Sequence, residues 1–141
     1  MKKILSYVVA SFILIGCNSK LEKKIVSSYP NGTPMEIDYL KTIGGKKVIV
    51  KETRFYPNGE KSSEGEWTAD NKKCGTWTQW LPDGKKWVEE EYSDGKKNGS
   101  SIVYQANGKK LYDGEYEDDV ASGTWTYYDK DGKVTHKGKV K

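Results

Sequence analysis

From residue 28 onward, apolar and polar residues alternate in short runs that turns break at regular intervals. In LYDGEY (residues 111–116), Tyr112, Gly114 and Tyr116 fall on one parity, and Leu111, Asp113 and Glu115 on the other. In GTWTYY (123–128), Gly123, Trp125 and Tyr127 oppose Thr124, Thr126 and Tyr128. Period two places alternate side chains on opposite faces of a strand. No stretch after residue 27 carries the stripe of an amphipathic helix. The breaks are YPNG (29–32), YPNG (56–59), LPDG (81–84), QANG (105–108) and DKDG (129–132). Asn-Gly and Asp-Gly between strand-like runs predict hairpins, and type I′ turns in particular, whose two central residues need positive φ. Pro30, Pro57 and Pro82 lie just before these turns, where a fixed φ removes no hydrogen bond from a central strand.

The turn glycines Gly32, Gly59, Gly84, Gly108 and Gly132 are spaced 27, 25, 24 and 24 residues apart. Six residues after three of them comes a second glycine, Gly65, Gly114 or Gly138, and a ring follows two positions later at Trp67 and Tyr116, with Tyr92 at the matching place. A third glycine, Gly75, Gly99 or Gly123, opens a second strand-like stretch that ends near Trp80, Tyr104 or Tyr128. KKVIVKETRFY (46–56) reads as a strand within a degenerate first repeat. One hairpin buries too little to stand alone, whereas hairpins stacked in sequence bury their rings against the next. The expectation is all-β: a single-layer antiparallel β-meander of stacked hairpin repeats following an N-terminal signal segment. The glycines at the sixth position leave room for a neighbouring ring. Trp67, Trp77, Tyr116 and Trp125 form the packed face. Trp80, Trp87, Tyr104 and Tyr128 fall on the other parity and are the candidate binding surface, suited to stacking on sugars or holding a partner. Gly95 reads as part of a longer, variable connection.

The first 16 residues differ in kind. MKKILSYVVASFILIG has two lysines and then an apolar run to Ile15, too short to span a bilayer comfortably. It has the n- and h-regions of a secretion signal. The run ends Leu14-Ile15-Gly16-Cys17, which resembles a bacterial lipobox; the Cys17 sulfur would carry the lipid, and that resemblance implies membrane attachment in a bacterial cell envelope. The chain divides into a lipoprotein signal peptide (1–16), a tether (17–27) and a repeat domain (28–141). The whole chain has net charge +4; without residues 1–16 it has 22 basic and 20 acidic side chains, or +2, with the signs interleaved. That balance, in an exported protein, argues against a nucleic-acid partner. Cys74 loses its only possible disulfide partner if Cys17 is acylated; it reads as an incidental residue in a polar turn, with Lys72 and Lys73 able to lower its pKa modestly.

YPNGEKSSEGEW…CGTWTQWLPDG (56–84) and NGKKLYDGEYEDDVASGTWTYYDKDG (107–132) resemble the MORN-repeat variant found in bacterial lipoproteins. The likeness covers about residues 28–141. It is closest over Gly59–Trp80 and Gly108–Gly132. It weakens over Gly84–Tyr104, where Glu90 replaces the second glycine and Ser101 the tryptophan, and in the first repeat Asp38 replaces the second glycine. Some members of that family are labelled antitoxins of toxin–antitoxin systems, a role that an exported lipidated chain is in the wrong compartment to play against a cytoplasmic toxin.

Little catalytic chemistry is on offer. His136 is the one histidine and reads as a solvated residue of the last strand. No Cys/His spacing suits zinc, and Asp113, Glu117, Asp118 and Asp119 lack the twelve-residue calcium-loop pattern. Glu64/Glu66 and Glu89/Glu91 sit two apart, a separation every charged strand offers. No catalytic residue, metal ligand or cofactor is expected. The expectation is a non-enzymatic, monomeric, lipid-anchored module that binds an envelope protein or polymer. The alternatives are a structural envelope spacer, or an antitoxin or immunity-type inhibitor.

Overall fold

The computed structural model describes residues 21–140; the signal segment 1–16, Cys17 and residues 18–20 lie outside the described residues. Ten strands follow one another: β1 (Glu22–Ser28), β2 (Pro34–Ile43), β3 (Lys46–Phe55), β4 (Lys61–Trp67), β5 (Lys73–Trp80), β6 (Lys86–Ser93), β7 (Lys96–Tyr104), β8 (Lys110–Glu117), β9 (Val120–Tyr128) and β10 (Val134–Lys139). They form one open antiparallel sheet in sequence order, the expected single-layer meander. The sheet begins at Glu22, so β1 takes up much of the stretch read as a tether.

The five Asn-Gly or Asp-Gly turns are not type I′. Each closes with the same two bonds, as in Gly32 N to Tyr29 O (2.9 Å) and Tyr29 N to Thr33 O (2.8 Å). In each, only the glycine has positive φ. This is a type I turn followed by a left-handed bulge residue, in which Pro30, Pro57 and Pro82 occupy the second turn position that their fixed φ suits. Type I′ geometry occurs at the opposite end of the sheet, at the two-residue loops Gly44-Gly45, Asp94-Gly95 and Asp118-Asp119, where both residues have positive φ. Gly95 therefore belongs to a tight turn, not a long connection.

The sheet has two distinct faces. Across the middle of one, cross-strand neighbours form four slots: Asp38/Glu52 on β2/β3, Gly65/Trp77 on β4/β5, Glu90/Ser101 on β6/β7 and Gly114/Trp125 on β8/β9. In the second and fourth, the indole lies flat over the glycine, and a Cβ added at Gly65 or Gly114 would overlap it. Trp67 meets Trp77 edge-on at 5.1 Å, and Tyr116 meets Trp125 edge-on at 5.3 Å. The indole nitrogens donate to Glu66 O and Ser122 O, both at 3.1 Å. Trp77 and Trp125 are only 7% and 8% exposed, so the assigned packed face is the core. The third glycines mark a feature that alternation does not reveal. Gly75, Gly99 and Gly123 have positive φ at bulges where β5, β7 and β9 each spend two extra residues against the preceding strand. Such a bulge re-aims the side chains that follow it.

Candidate functional site

The opposite face is built around a continuous cross-strand row: Ile37, Thr53, Glu64, Thr78, Glu89, Ile102, Asp113 and Thr126. Its three carboxylates recur with the repeat, and each is met by the lysine three residues earlier: Lys61–Glu64 at 2.9 Å, Lys86–Glu89 at 2.6 Å and Lys110–Asp113 at 3.2 Å. Thr53 Oγ1 donates to Glu64, Tyr104 OH to Glu89 and Tyr128 OH to Asp113. Burial pushes the Glu64 and Glu89 carboxyls up. The hydrogen bonds from Lys61, Thr53 and Lys51 in one case, and from Lys86 and Tyr104 in the other, outweigh it and hold both below the usual range. Burial and the bond to Glu89 push the Tyr104 phenol up to about 12.

Three of the four ring positions singled out from the sequence, Trp80, Tyr104 and Tyr128, thus form a column spaced 24 residues apart on this face. They are half-buried and engaged within the sheet: Lys61 Nζ lies 5.5 Å from the Trp80 ring centroid and Lys110 Nζ 6.0 Å from that of Tyr128. Trp87 is different, with 46% of its surface exposed. It stands three residues after its turn glycine at a register irregularity, a place that Met35 and Leu111 share in their own repeats. Met35 and Leu111 are also exposed, so three of the five repeats present a free apolar side chain at this place, while Ser62 and Thr135 hold it in the other two. Sequence parity found the ring column but not this recurring position, which follows from the irregularities.

On the core face, the first slot gathers Glu36, Asp38 and Glu52, with one carboxylate oxygen from each within 4.8 Å of the others. Asp38 is 7% exposed, and its Oδ1 has no hydrogen-bond partner among the described residues. Arg54 Nε approaches Glu52 at 2.9 Å and Glu36 at 3.3 Å. Burial raises the Asp38 carboxyl and Glu36 adds to it, against Lys24 and Arg54. Burial also raises Glu52, with Glu36 and Asp38 adding and Arg54 and Lys73 opposing. The sequence reading missed this cluster because Glu52 is fourteen residues from Asp38 and joins it only through the β2–β3 register.

Cys74 is not in a turn. It lies in β5 opposite Glu66, and burial together with that carboxylate raises its thiol, the reverse of the effect expected from Lys72 and Lys73. His136 lies exposed on β10, as expected, against the Tyr127 ring and with Nε2 above Gly138.

The family model of the MORN repeat variant matches residues 73–94, which comprise β5, its turn and β6. The matched unit is one hairpin, and the same pair of turn bonds closes five other hairpins of the sheet, with Asn71 in the glycine's place in one of them. No curated protein and no solved structure matches the chain.

Proposed function

We propose that the chain is a non-enzymatic β-repeat binding module, anchored to a bacterial envelope membrane through lipidated Cys17, that holds an envelope protein or polymer on the face bearing Trp80, Trp87, Tyr104 and Tyr128. The observation that carries the reading is the recurrence of an exposed apolar side chain, Met35, Trp87 or Leu111, at one place of three repeats. Internal hydrogen bonds fix Tyr104 and Tyr128 in place, so a ligand would meet a preorganised surface. Trp87 supplies the free aromatic area that anchors binding sites of this kind. The MORN-repeat match supports the repeat-module reading.

Two variants test it. Trp87→Ala removes an exposed ring and should leave the melting temperature within a degree or two while lowering co-sedimentation with purified envelope polymer, or cross-linking to an envelope protein, by tenfold or more. Unchanged capture by Trp87→Ala and by Leu111→Ser together would contradict the binding surface and favour a spacer. Cys17→Ser should abolish incorporation of labelled fatty acid; incorporation that persists would contradict the anchor.

A further inference from the structure

We infer that Glu36, Asp38 and Glu52 form a binding site for a hard divalent cation of the Ca2+ class, with Arg54 as the counter-ion that the metal displaces.

The repeat itself supplies the reference for this site. Slots one and three both replace the glycine of the Gly–Trp pair with an acid. In slot three the acid is fully accounted for: Lys97 Nζ lies 2.6 Å from Glu90 Oε1, and Tyr92 OH lies 3.0 Å from Oε2. In slot one the corresponding Asp38 is more deeply buried, yet Oδ1 has neither a lysine nor a hydroxyl. A buried carboxylate oxygen without a partner is costly, and it persists where something else satisfies it. Glu36 and Glu52 each bring a carboxylate oxygen within 4.8 Å of one of Asp38's.

The donor set points to a hard ion. Oxygens on opposite sides of a Ca2+ ion are up to about 4.6–5.2 Å apart, because each bond is about 2.3–2.6 Å, whereas Mg2+ spans only about 4.2 Å. Three oxygens within 4.8 Å of one another can all reach one ion of the larger kind. The ligands are all carboxylate oxygens, which suit Ca2+ and not soft metals. Two lie on β2 and one on its neighbour β3, so the backbone is rigid and only side chains need adjust. Arg54 is the adjustable part, because 53% of its side chain is exposed and it can swing into solvent. The Glu36 side chain is 24% exposed, against 12% for Glu52, so waters can complete the coordination shell beside it. The basic groups facing the cluster are Lys24 from β1, Arg54 from β3 and Lys73 from β5, and their charge limits affinity to the range of extracellular calcium modules, about 10⁻⁴–10⁻³ M.

The experiment is titration of the full chain in detergent with TbCl3, exciting the indoles, and with CaCl2 as competitor. Trp67 and Trp77 line the same cavity as Glu52 and Arg54, so bound Tb3+ should luminesce through them. Saturable luminescence that CaCl2 reverses is expected. Asp38→Asn should weaken it at least tenfold, Arg54→Gln should tighten it severalfold, and Glu90→Gln should leave it unchanged. CaCl2 should raise the melting temperature of the wild type and not of Asp38→Asn. Absence of saturable luminescence, equal binding by Asp38→Asn and Glu90→Gln, or weaker binding by Arg54→Gln would each overturn the site.

Discussion

Slots two and four of the core face hold a tryptophan on a glycine, whereas slots one and three hold an acid at the glycine's place, with Glu52 and Ser101 at the tryptophan's. In the Gly–Trp slots the chain gives up a side chain on one strand so that the next strand can lay an indole flat against the backbone. Each slot then needs only two more rings at its sides, Trp67 and Tyr92 around Trp77 and Tyr112 and Tyr116 around Trp125. A single-layer sheet has no second layer to cover it, and this arrangement is how the chain builds a core without one. The acidic slots break that core into islands. They cost stability locally and place charge at defined positions along the face. Slot three neutralises its acid internally through Lys97, while slot one leaves its acid open.

The largest effect that sharpens this contrast is removal of an indole. Trp125→Ala empties a Gly–Trp slot and should destabilise by about 3–5 kcal/mol, a large share of the about 5–15 kcal/mol typical of a domain. Trp80→Ala, on the other face, should cost about 1–2 kcal/mol. Urea unfolding of both variants checks the order; the reverse order would mean that the faces are misassigned.

The two acidic slots come next, with opposite signs. Lys97→Met leaves Glu90 half-buried and without its ammonium, and should destabilise by about 1–3 kcal/mol. Asp38→Asn removes an unpartnered charge at nearly constant shape and should be neutral or stabilising in metal-free buffer. Its effect should depend on pH. Asp38 and Glu52 are raised in the folded state, so the native protein binds protons more tightly than the unfolded chain does. Their destabilising effect therefore grows as pH rises through the raised values and disappears on acidification toward about 4. Glu64 and Glu89 act in the opposite direction: they are lowered, and their contribution is lost as pH falls through their folded values. The advantage of Asp38→Asn over wild type should shrink between about pH 7 and pH 4 in melting curves with EDTA. A constant difference would mean that Asp38 is not the titrating group.

The smallest effect lies in the turns. Asn31, Asn58 and Asn107 each donate from Nδ2 to a carbonyl of the following turn, at 2.8–2.9 Å. Asp83 holds the same place and cannot donate; it pairs with its neighbour Lys85 instead. Asp83→Asn should supply the missing turn-to-turn bond and raise the melting temperature slightly. A fall would show that the Asp83–Lys85 pair matters more than the ladder.

The fold was readable because its signals are local. Alternation placed Tyr112, Gly114 and Tyr116 on one face, and the structure gathers Tyr112 and Tyr116 around Trp125 above Gly114. The turn type was not readable from Asn-Gly alone, because that dipeptide serves both a type I′ turn and a type I turn with a bulge; the preceding proline discriminates in three of the five turns, and QANG and DKDG carry none. Gly95, at φ +87°, and Gly108, at φ +82°, consequently face the same backbone strain, and valine at either should destabilise comparably. Half of the proposed binding face was readable in the same way. The ring column follows from parity, but the carboxylates that lock Tyr104 and Tyr128 lie fifteen residues away, and only register joins them. The cluster around Asp38 was hidden further, since a register shift between Tyr39 and Leu40 sets which β3 residues face β2.

The central claim is that glycine and tryptophan act as one packing unit, and slot three allows it to be rebuilt. Its β7 strand already carries the Gly99 bulge that β5 and β9 use to aim their indoles. A double-mutant cycle of Glu90→Gly and Ser101→Trp, read by urea unfolding, is the direct measurement. Ser101→Trp alone should destabilise, because the indole meets the Glu90 side chain. Glu90→Gly alone should destabilise by leaving a gap beside Lys97. Together they should recover stability, with a favourable coupling of at least about 1 kcal/mol. Additive losses would contradict the account.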